Sequence, residues 1–149
     1  MKFISRFIFV ILLVSSIAAS AGDATYTDYE SAKKAASKKG LPILIEFSGS
    51  DWCGWCIRLH EEVISRKAFK KFAKDEVIFY IADFPSNKQL PAKQKKKNEE
   101  LAAQYNVEGF PTVLLIDKYG KLIARTGYVA GGAEKYVEHL RTLIKTGKN

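Results

Sequence analysis

Cysteine, histidine and methionine are scarce in this chain. Its 149 residues include two cysteines, two histidines and one methionine. Two cysteines cannot form the dense disulfide framework that stabilises small secreted domains. A structural zinc ion needs four ligands, so it would require both cysteines together with His60 and His139, which lie far apart in the sequence. The composition therefore disfavours a disulfide scaffold and a zinc domain, and we expect no metal ion.

Long apolar runs are also absent. The uncharged run Phe7–Val14 is much shorter than the about 20 residues that a membrane-spanning helix needs. It follows a short basic start and precedes the small residues Ala19–Ala21, which is the pattern of a secretory signal peptide. We therefore predict a cleaved signal peptide at residues 1–21 and one exported domain at 22–149. An uncleaved membrane anchor is the alternative.

Acidic residues are outnumbered by basic ones, 16 against 24, which gives a formal net charge of +8. A basic balance is compatible with a nucleic-acid or membrane-surface partner, or with a soluble exported protein that carries lysines on its exterior. The lysines are interleaved with acidic residues, and the densest run, at 93–97, is expected to be a solvated helix start or loop. We therefore expect no nucleic-acid partner.

Hydrophobic patterning predicts short apolar strands that alternate with helices. The first predicted helix runs to Lys39 with Thr27 as its N-cap, and the preceding segment Asp23–Tyr26 is expected to be flexible. The other predicted helices are Trp52–Ser65, Lys67–Lys74, the second half of Leu90–Tyr105, and Ala133–Lys145. The predicted strands are Pro42–Phe47, Val77–Phe84, Thr112–Ile116 and Lys121–Thr126.

The order of these elements indicates an α/β fold. A strand–helix–strand succession requires parallel pairing with a crossover, whereas the short turn Asp117–Gly120 joins the last two strands in antiparallel fashion. The expected architecture is a mixed central sheet of about four strands flanked by helices on both faces.

The two cysteines lie in the motif Trp52-Cys53-Gly54-Trp55-Cys56, at a predicted strand-to-helix junction. A disulfide that closes so small a loop adds little stability, so the spacing favours a bond that opens and closes. Residues three apart lie on one helix face, which allows the Cα separation of about 4.4–6.8 Å that a disulfide needs. We expect Cys53, at the helix N-terminus, to have a lowered thiol pKa and to be the nucleophile. Cys56, deeper in the helix, is expected to be the more buried, resolving cysteine.

Three pieces of the sequence together resemble the thioredoxin superfamily. They are the predicted strand Ile43–Phe47, the Trp52–Cys56 motif, and the segment Gly109–Thr112 before the third predicted strand. The resemblance spans nearly all of the predicted domain and implies that Pro111 is cis and faces the cysteine pair. The residue before that proline would present its backbone to an extended substrate segment. The expected substrate-binding residues are Trp52, Gly54, Trp55, Phe110 and Pro111, although Trp55 could instead only cover the helix start.

More narrowly, the chain is similar to the periplasmic DsbH-type disulfide reductases. The similarity lies in Gly49–Cys56, Asp83–Pro85, Tyr105–Pro111 and Gly131-Gly132. It implies a soluble periplasmic protein that reduces disulfides in other exported proteins. A membrane thiol donor of the DsbD type would regenerate the dithiol. We expect a monomer with no cofactor besides its own redox-active disulfide.

Glu46 falls near the place where thioredoxins keep a buried acid behind the resolving cysteine. A buried carboxyl has a raised pKa and can carry the Cys56 proton. Two departures leave a plain strand residue as the alternative. The turn before Trp52 is one residue longer than in thioredoxin, and the strand that usually supplies a lysine partner offers Phe79 and Tyr80 instead.

The dipeptide between the cysteines bears on the direction of electron flow. Gly54 and Trp55 add no charge and no donor directed at the sulfur, which favours a reducing to intermediate potential. We therefore predict the reduction of disulfides in exported proteins by dithiol–disulfide exchange. Two alternatives stay open at this point: an oxidase or isomerase of the same fold, and a periplasmic chaperone or assembly module with a vestigial cysteine pair.

Overall fold

The computed structural model describes residues 25–147, so the predicted signal peptide at 1–21 lies outside the described residues. The strands are β1 (Thr25–Tyr26), β2 (Ile43–Ser48), β3 (Ile78–Asp83), β4 (Thr112–Ile116) and β5 (Leu122–Thr126). The helices are α1 (Tyr29–Lys39), α2 (Gly54–Leu59), α3 (Lys67–Asp75), α4 (Ala92–Gln104) and α5 (Gly132–Thr146), and α2 continues as a π-helical segment, His60–Ile64. No helix within the described range is both long and apolar enough to cross a bilayer.

The strands form one mixed sheet in the order β1-β3-β2-β4-β5. β1 and β2 run parallel to β3, and β4 runs antiparallel to both β2 and β5. This confirms the predicted α/β fold, with five strands instead of about four. The additional strand is Thr25–Tyr26, which was expected to be flexible but pairs with Phe79 and Tyr80 of β3. Two residues are too few to show the alternation of apolar and polar side chains that predicts a strand. They form a strand because the edge of β3 offers backbone groups to pair with.

The first helix begins one residue later than predicted. Its N-cap is Asp28 and not Thr27, because the Asp28 carboxylate accepts hydrogen bonds from both the backbone nitrogen and the hydroxyl of Ser31, each at 2.8 Å. A charged acceptor with two donors is a better cap than a single hydroxyl. The helix ends at Gly40, whose φ of 67° is the left-handed conformation that glycine adopts without a steric cost.

The sheet separates two hydrophobic clusters, one on each face. Leu44 belongs to the cluster formed with α2, the π-helical segment, α3 and α5, whereas Ile43, Ile45 and Phe47 pack toward α1 and α4. Side chains of a strand alternate between the two faces of a sheet. Glu46 therefore lies on the Leu44 face, which is the face that α2 covers.

A buried polar side chain connects α4 to the end of β3. Asn98 has no exposed surface, accepts a 2.5 Å hydrogen bond from the Tyr80 hydroxyl, and donates a 2.9 Å bond to the carbonyl oxygen of Asp83. Asn98 is thus the one residue of α4 that fixes both the interior and the C-terminal end of β3 through hydrogen bonds.

We predict that Asn98→Ala lowers the free energy of unfolding by about 2–4 kcal/mol, because it leaves two buried groups without a partner. Gln104→Ala, an exposed change in the same helix, is the matched control and should cost less than about 0.5 kcal/mol. Urea unfolding of the three proteins measures both values. Equal stabilities for the two variants would contradict the prediction.

Candidate active site

Cys53 and Cys56 form a disulfide where β2 passes into α2, with their Cα atoms 5.2 Å apart. Cys53 has an extended backbone and is the N-cap of α2, so the helix begins at Gly54 and not at Trp52 as predicted. The backbone N–H of Cys56 donates to the Cys53 sulfur at 3.3 Å. The exposed fraction is 7% for Cys53 and 1% for Cys56, which confirms that Cys56 is the more buried of the two.

The turn before Cys53 is held by backbone hydrogen bonds to Gly49. The carbonyl oxygen of Gly49 accepts from the backbone nitrogens of Trp52 at 3.2 Å and Cys53 at 2.8 Å. A Cβ atom on Gly49 would lie 2.4 Å from the Trp52 ring, so only glycine lets that ring rest on the turn. The local sequence thereby fixes both the position of Cys53 and the orientation of Trp52.

The same turn is tied to the loop that follows β3. The Trp52 indole nitrogen donates to the carbonyl oxygen of Phe84 at 2.7 Å. The Asp51 carboxylate accepts from the backbone nitrogens of Ser86 at 2.8 Å and Asn87 at 2.7 Å. These bonds join two loops that lie more than 30 residues apart in the sequence.

Three aromatic rings form a group beside Cys53. The Phe110 ring stacks on Phe84 at a centroid distance of 5.1 Å and meets Trp52 edge-on at 5.9 Å. The Phe110–Pro111 peptide bond is cis, the isomer that the thioredoxin resemblance implies. Because Thr112 pairs with Phe47, Pro111 lies beside the end of β2. The structure therefore brings Trp52, Phe110 and Pro111 to the same end of the sheet as the disulfide.

Trp55 lies in a second group, with Arg58, Glu62 and Tyr128. The Tyr128 ring centroid is 5.3 Å from that of Trp55, and the Arg58 guanidinium lies 5.5 Å from the Trp55 ring and 5.4 Å from the Tyr128 ring. The Glu62 carboxylate accepts from Arg58 at 2.7 Å and from the Tyr128 hydroxyl at 2.6 Å. Bonds from these two groups lower the pKa of Glu62, so the carboxylate stays ionised.

Glu46 is 2% exposed and lies on β2 between Ile81 of β3 and Val113 of β4. Burial raises the pKa of its carboxyl to about 7; a hydrogen bond from Ser48 opposes the shift and the charge of Asp83 adds to it. The structure thus places this carboxyl in the interior, where it titrates near neutral pH.

A cavity of about 520 Å³ adjoins the buried side of the disulfide. Glu46 and Cys56 both line it, together with Asp83, Lys88 and His60. His60, which is exposed, borders the cavity from the C-terminal end of α2. The buried carboxyl of Glu46 and the Cys56 sulfur side of the disulfide consequently border one shared cavity.

Asp83 and Lys88 were not singled out from the sequence as site residues. The Asp83 carboxylate accepts from the Ser50 backbone nitrogen at 3.0 Å and the Ser50 hydroxyl at 2.8 Å, and it pairs with the Lys88 ammonium at 2.9 Å. A lysine thus reaches the cavity from the loop after β3 instead of from the strand. The available signal was that Asp83 ends a strand parallel to β2, since the carboxyl ends of parallel strands share one sheet edge.

The histidines do not assemble a metal site. His139 lies on α5, where its ring nitrogen is 2.9 Å from the Thr126 hydroxyl, away from the cysteines. Across residues 25–147 there is no group of three or more His, Cys, Asp or Glu side chains that could hold a metal ion. The site described by the structure is a disulfide with a buried carboxyl and an aromatic rim.

We predict that Glu46→Gln becomes more stable relative to the wild type as pH rises. The folded pKa of about 7 exceeds the ordinary value of 4.5, so the wild type loses stability between pH 4.5 and 7 and the variant does not. At about 1.4 kcal/mol for each pKa unit, the gain of the variant is about 3 kcal/mol. Urea unfolding at pH 4, 6 and 8 measures it, and a difference independent of pH would contradict the buried, titrating carboxyl.

Comparison with known proteins agrees with this geometry. The family described as a thioredoxin-like domain matches residues 29–144. The chain is 36% identical over 126 residues to the disulfide bond reductase DsbH of Chlamydia pneumoniae, covering 85% of this chain and 76% of that protein. It is 24% identical over 102 residues to the thioredoxin-related protein DsbJ of the same organism, covering 68% of this chain and 29% of DsbJ.

Solved structures show the same fold. The solved structure of a DsbH oxidoreductase superposes with a TM-score of 0.79 at 35% identity, covering 89% of this chain and 92% of that one. A thioredoxin from Thermus thermophilus superposes with a TM-score of 0.60 at 19% identity, covering 83% and 88%, which shows the fold alone. The chain therefore belongs to the thioredoxin-like family and is a thiol–disulfide oxidoreductase related to DsbH.

Proposed function

We propose that this chain is a periplasmic protein-disulfide reductase that acts on exported proteins. The observation that carries the proposal is the placement of the Cys53–Cys56 disulfide at the start of α2, with an aromatic rim outside it and the cavity shared by Glu46 and Cys56 behind it. The similarity to a protein named as a disulfide bond reductase supports the direction.

The first step belongs to Cys53. In the reduced protein its thiolate attacks one sulfur of a substrate disulfide, a mixed disulfide forms, and the other substrate sulfur leaves as a thiolate that takes a proton from water. The backbone N–H of Cys56 donates to the Cys53 sulfur and favours the charged form. Cys53 is the cysteine nearer the surface, which suits the nucleophile.

The second step belongs to Cys56. Its thiolate attacks the Cys53 sulfur, the Cys53–Cys56 disulfide forms, and the second substrate sulfur leaves as a thiolate. Glu46 accepts the Cys56 proton, because the two residues line the same cavity and a carboxyl with a pKa of about 7 can accept and release a proton near neutral pH. Two electrons must then return to the pair, and we propose a membrane thiol donor of the DsbD type.

The substrate segment lies across the rim in this proposal. Trp52 and Trp55 are 51% and 56% exposed, and a Cβ atom on Gly54 would meet nothing within 4 Å, so the surface over the disulfide is open. Phe110 and Pro111 border the same opening and supply the backbone against which an extended segment can lie. We propose that the protein works as a monomer after removal of residues 1–21.

We predict a reduction potential of the Cys53–Cys56 pair near −270 mV, about the value of thioredoxin. Gly54 and Trp55 place no charge against the sulfur, so nothing in the dipeptide favours the reduced form strongly. Equilibration against a glutathione series measures the potential. A value near about −120 mV, as in DsbA, would make the protein a disulfide donor and overturn the reductase proposal.

We predict that Cys56→Ser accumulates a mixed disulfide with substrate, because the nucleophile remains and the resolving step is lost. Cys53→Ser should form no such adduct and should lose at least about 10³-fold in rate, as expected when a covalent nucleophile is removed. Non-reducing gels and mass spectrometry of periplasmic extracts measure the adducts. If the Cys53→Ser/Cys56→Ser double variant, which cannot exchange thiols, still performs the protein's function in the cell, the protein is a chaperone or assembly module.

A further inference from the structure

The group of Trp55, Arg58, Glu62 and Tyr128 has no role in the two thiol-exchange steps. Its members come from two distant parts of the chain, since the bond from Tyr128 to Glu62 joins residues 66 apart. Trp55 nevertheless keeps 56% of its surface exposed, next in sequence to the resolving cysteine. A large apolar ring that is half exposed and held on one side is a feature of binding surfaces.

The contacts on Trp55 restrict the ring. Tyr128 packs against it at 5.3 Å, and the Arg58 guanidinium lies within 5.5 Å of both rings, where a cation is attracted to the aromatic faces. Glu62 in turn bonds both Arg58 and Tyr128. A ring fixed in advance loses little conformational entropy when a ligand packs on it.

The charges in this group cancel. The one cation, Arg58, is paired with the one anion, Glu62, at 2.7 Å. The Trp55 ring, 56% exposed, carries no charge, and the Arg58 side chain beside it is 53% exposed but already paired with Glu62. On the other side of Cys53 the rim is also apolar, because it consists of Trp52 and Phe110.

We propose that Trp55, held by Arg58 and Tyr128, is a specificity-determining wall that selects substrates with an aromatic or large aliphatic side chain beside the reacting cysteine. Arg58, Glu62 and Tyr128 are positioning residues in this assignment. The inference rests on the proposed function, because it names the substrate class of the same site. A small polar neighbour such as Ser has little apolar surface to bury against this ring and loses hydration when it packs there.

The test compares two synthetic peptides, each with one cysteine joined to glutathione, that differ only in Phe or Ser on both sides of that cysteine. The wild type is expected to reduce the Phe peptide with a kcat/KM about tenfold higher, the lower range of discrimination for an apolar pocket. Trp55→Ala should bring this ratio to within about twofold of unity. Because the readout is a ratio, a general loss of activity cancels.

The chain offers a matched control. Tyr119 is also an exposed aromatic residue, 83% exposed, and it lies on the β4–β5 turn with Lys118 5.1 Å from its ring. Tyr119→Ala should keep the wild-type ratio. A wild-type ratio near unity, or a Trp55→Ala variant that keeps the tenfold preference, would overturn the inference.

Arg58→Gln tests the positioning role by a second readout. It should lower the heteronuclear NOE of the Trp55 indole N–H in NMR relaxation and reduce the peptide ratio. The Trp52 indole, which is bonded to Phe84, serves as the internal reference and should not change. An unchanged Trp55 indole together with an unchanged ratio would overturn this role.

Failure of the proposed function has a different signature. A wild type that reduces neither peptide and does not reduce glutathione disulfide is not a reductase, and the proposed function would then be wrong. If the wild type reduces both peptides equally well, the proposed function stands, and only the assignment of Trp55 as a specificity-determining wall is wrong.

Discussion

The site depends on the hydrogen bonds that tie the turn after β2 to the loop after β3. Ser50 donates twice to Asp83, Trp52 donates to Phe84, and the backbone nitrogen of Phe84 donates to Ser48 at 2.7 Å. Parallel pairing of β2 with β3 brings these two ends to the same sheet edge. The bonds to Gly49 shape the turn locally, and this tie holds the shaped turn, with Cys53 and the Trp52 ring, against the edge of the sheet.

The interior behind the disulfide disfavours a negative charge on Glu46, and this property is connected with the proton transfer proposed for that residue. Glu46 lies among apolar neighbours, and Asp83 adds a second acid that raises its pKa further. Two hydrogen bonds from Ser50 and the ammonium of Lys88, from the loop after β3, compensate the charge of Asp83. A core built for stability alone would carry an apolar residue at position 46. The carboxyl is costly to ionise there, and the same cost raises its pKa to about 7, which suits the proton transfer proposed for it.

The outer side of the disulfide is bordered by aromatic rings instead of acidic groups. Two aromatic groups flank Cys53, one built on Trp52 and Phe110 and the other on Trp55 and Tyr128. Each is fixed by polar contacts made away from the opening, through the Phe84 carbonyl in one case and the Arg58–Glu62 pair in the other. The Trp52 indole nitrogen and the Arg58–Glu62 pair are thus bonded within the protein, and about half of each Trp ring is left exposed for the partner proposed above.

Much of the site could be read from the sequence because its signals are local. The Cys-x-x-Cys spacing, the apolar run of β2 and the Pro111 segment each lie within a few residues, and they predicted the fold class and the positions of both cysteines. The four longer strands also follow from local patterning. Helix termini were less certain: Thr27 and Asp28 are equally acceptable caps in sequence, and the choice depends on how Ser31 is placed.

Tertiary structure decided what depends on distant neighbours. The strand Thr25–Tyr26 exists because β3 offers an edge, and the π-helical segment His60–Ile64 changes the register of a helix that a period of 3.6 residues would continue unbroken. Burial of Glu46, the approach of Lys88 to Asp83 and the contact of Tyr128 with Trp55 likewise need chain segments that fold back from far away. The sequence by itself determined which residues react, because that chemistry resides in a five-residue motif. Only the tertiary structure decided which groups surround them, because electrostatics and packing act through space and not along the chain.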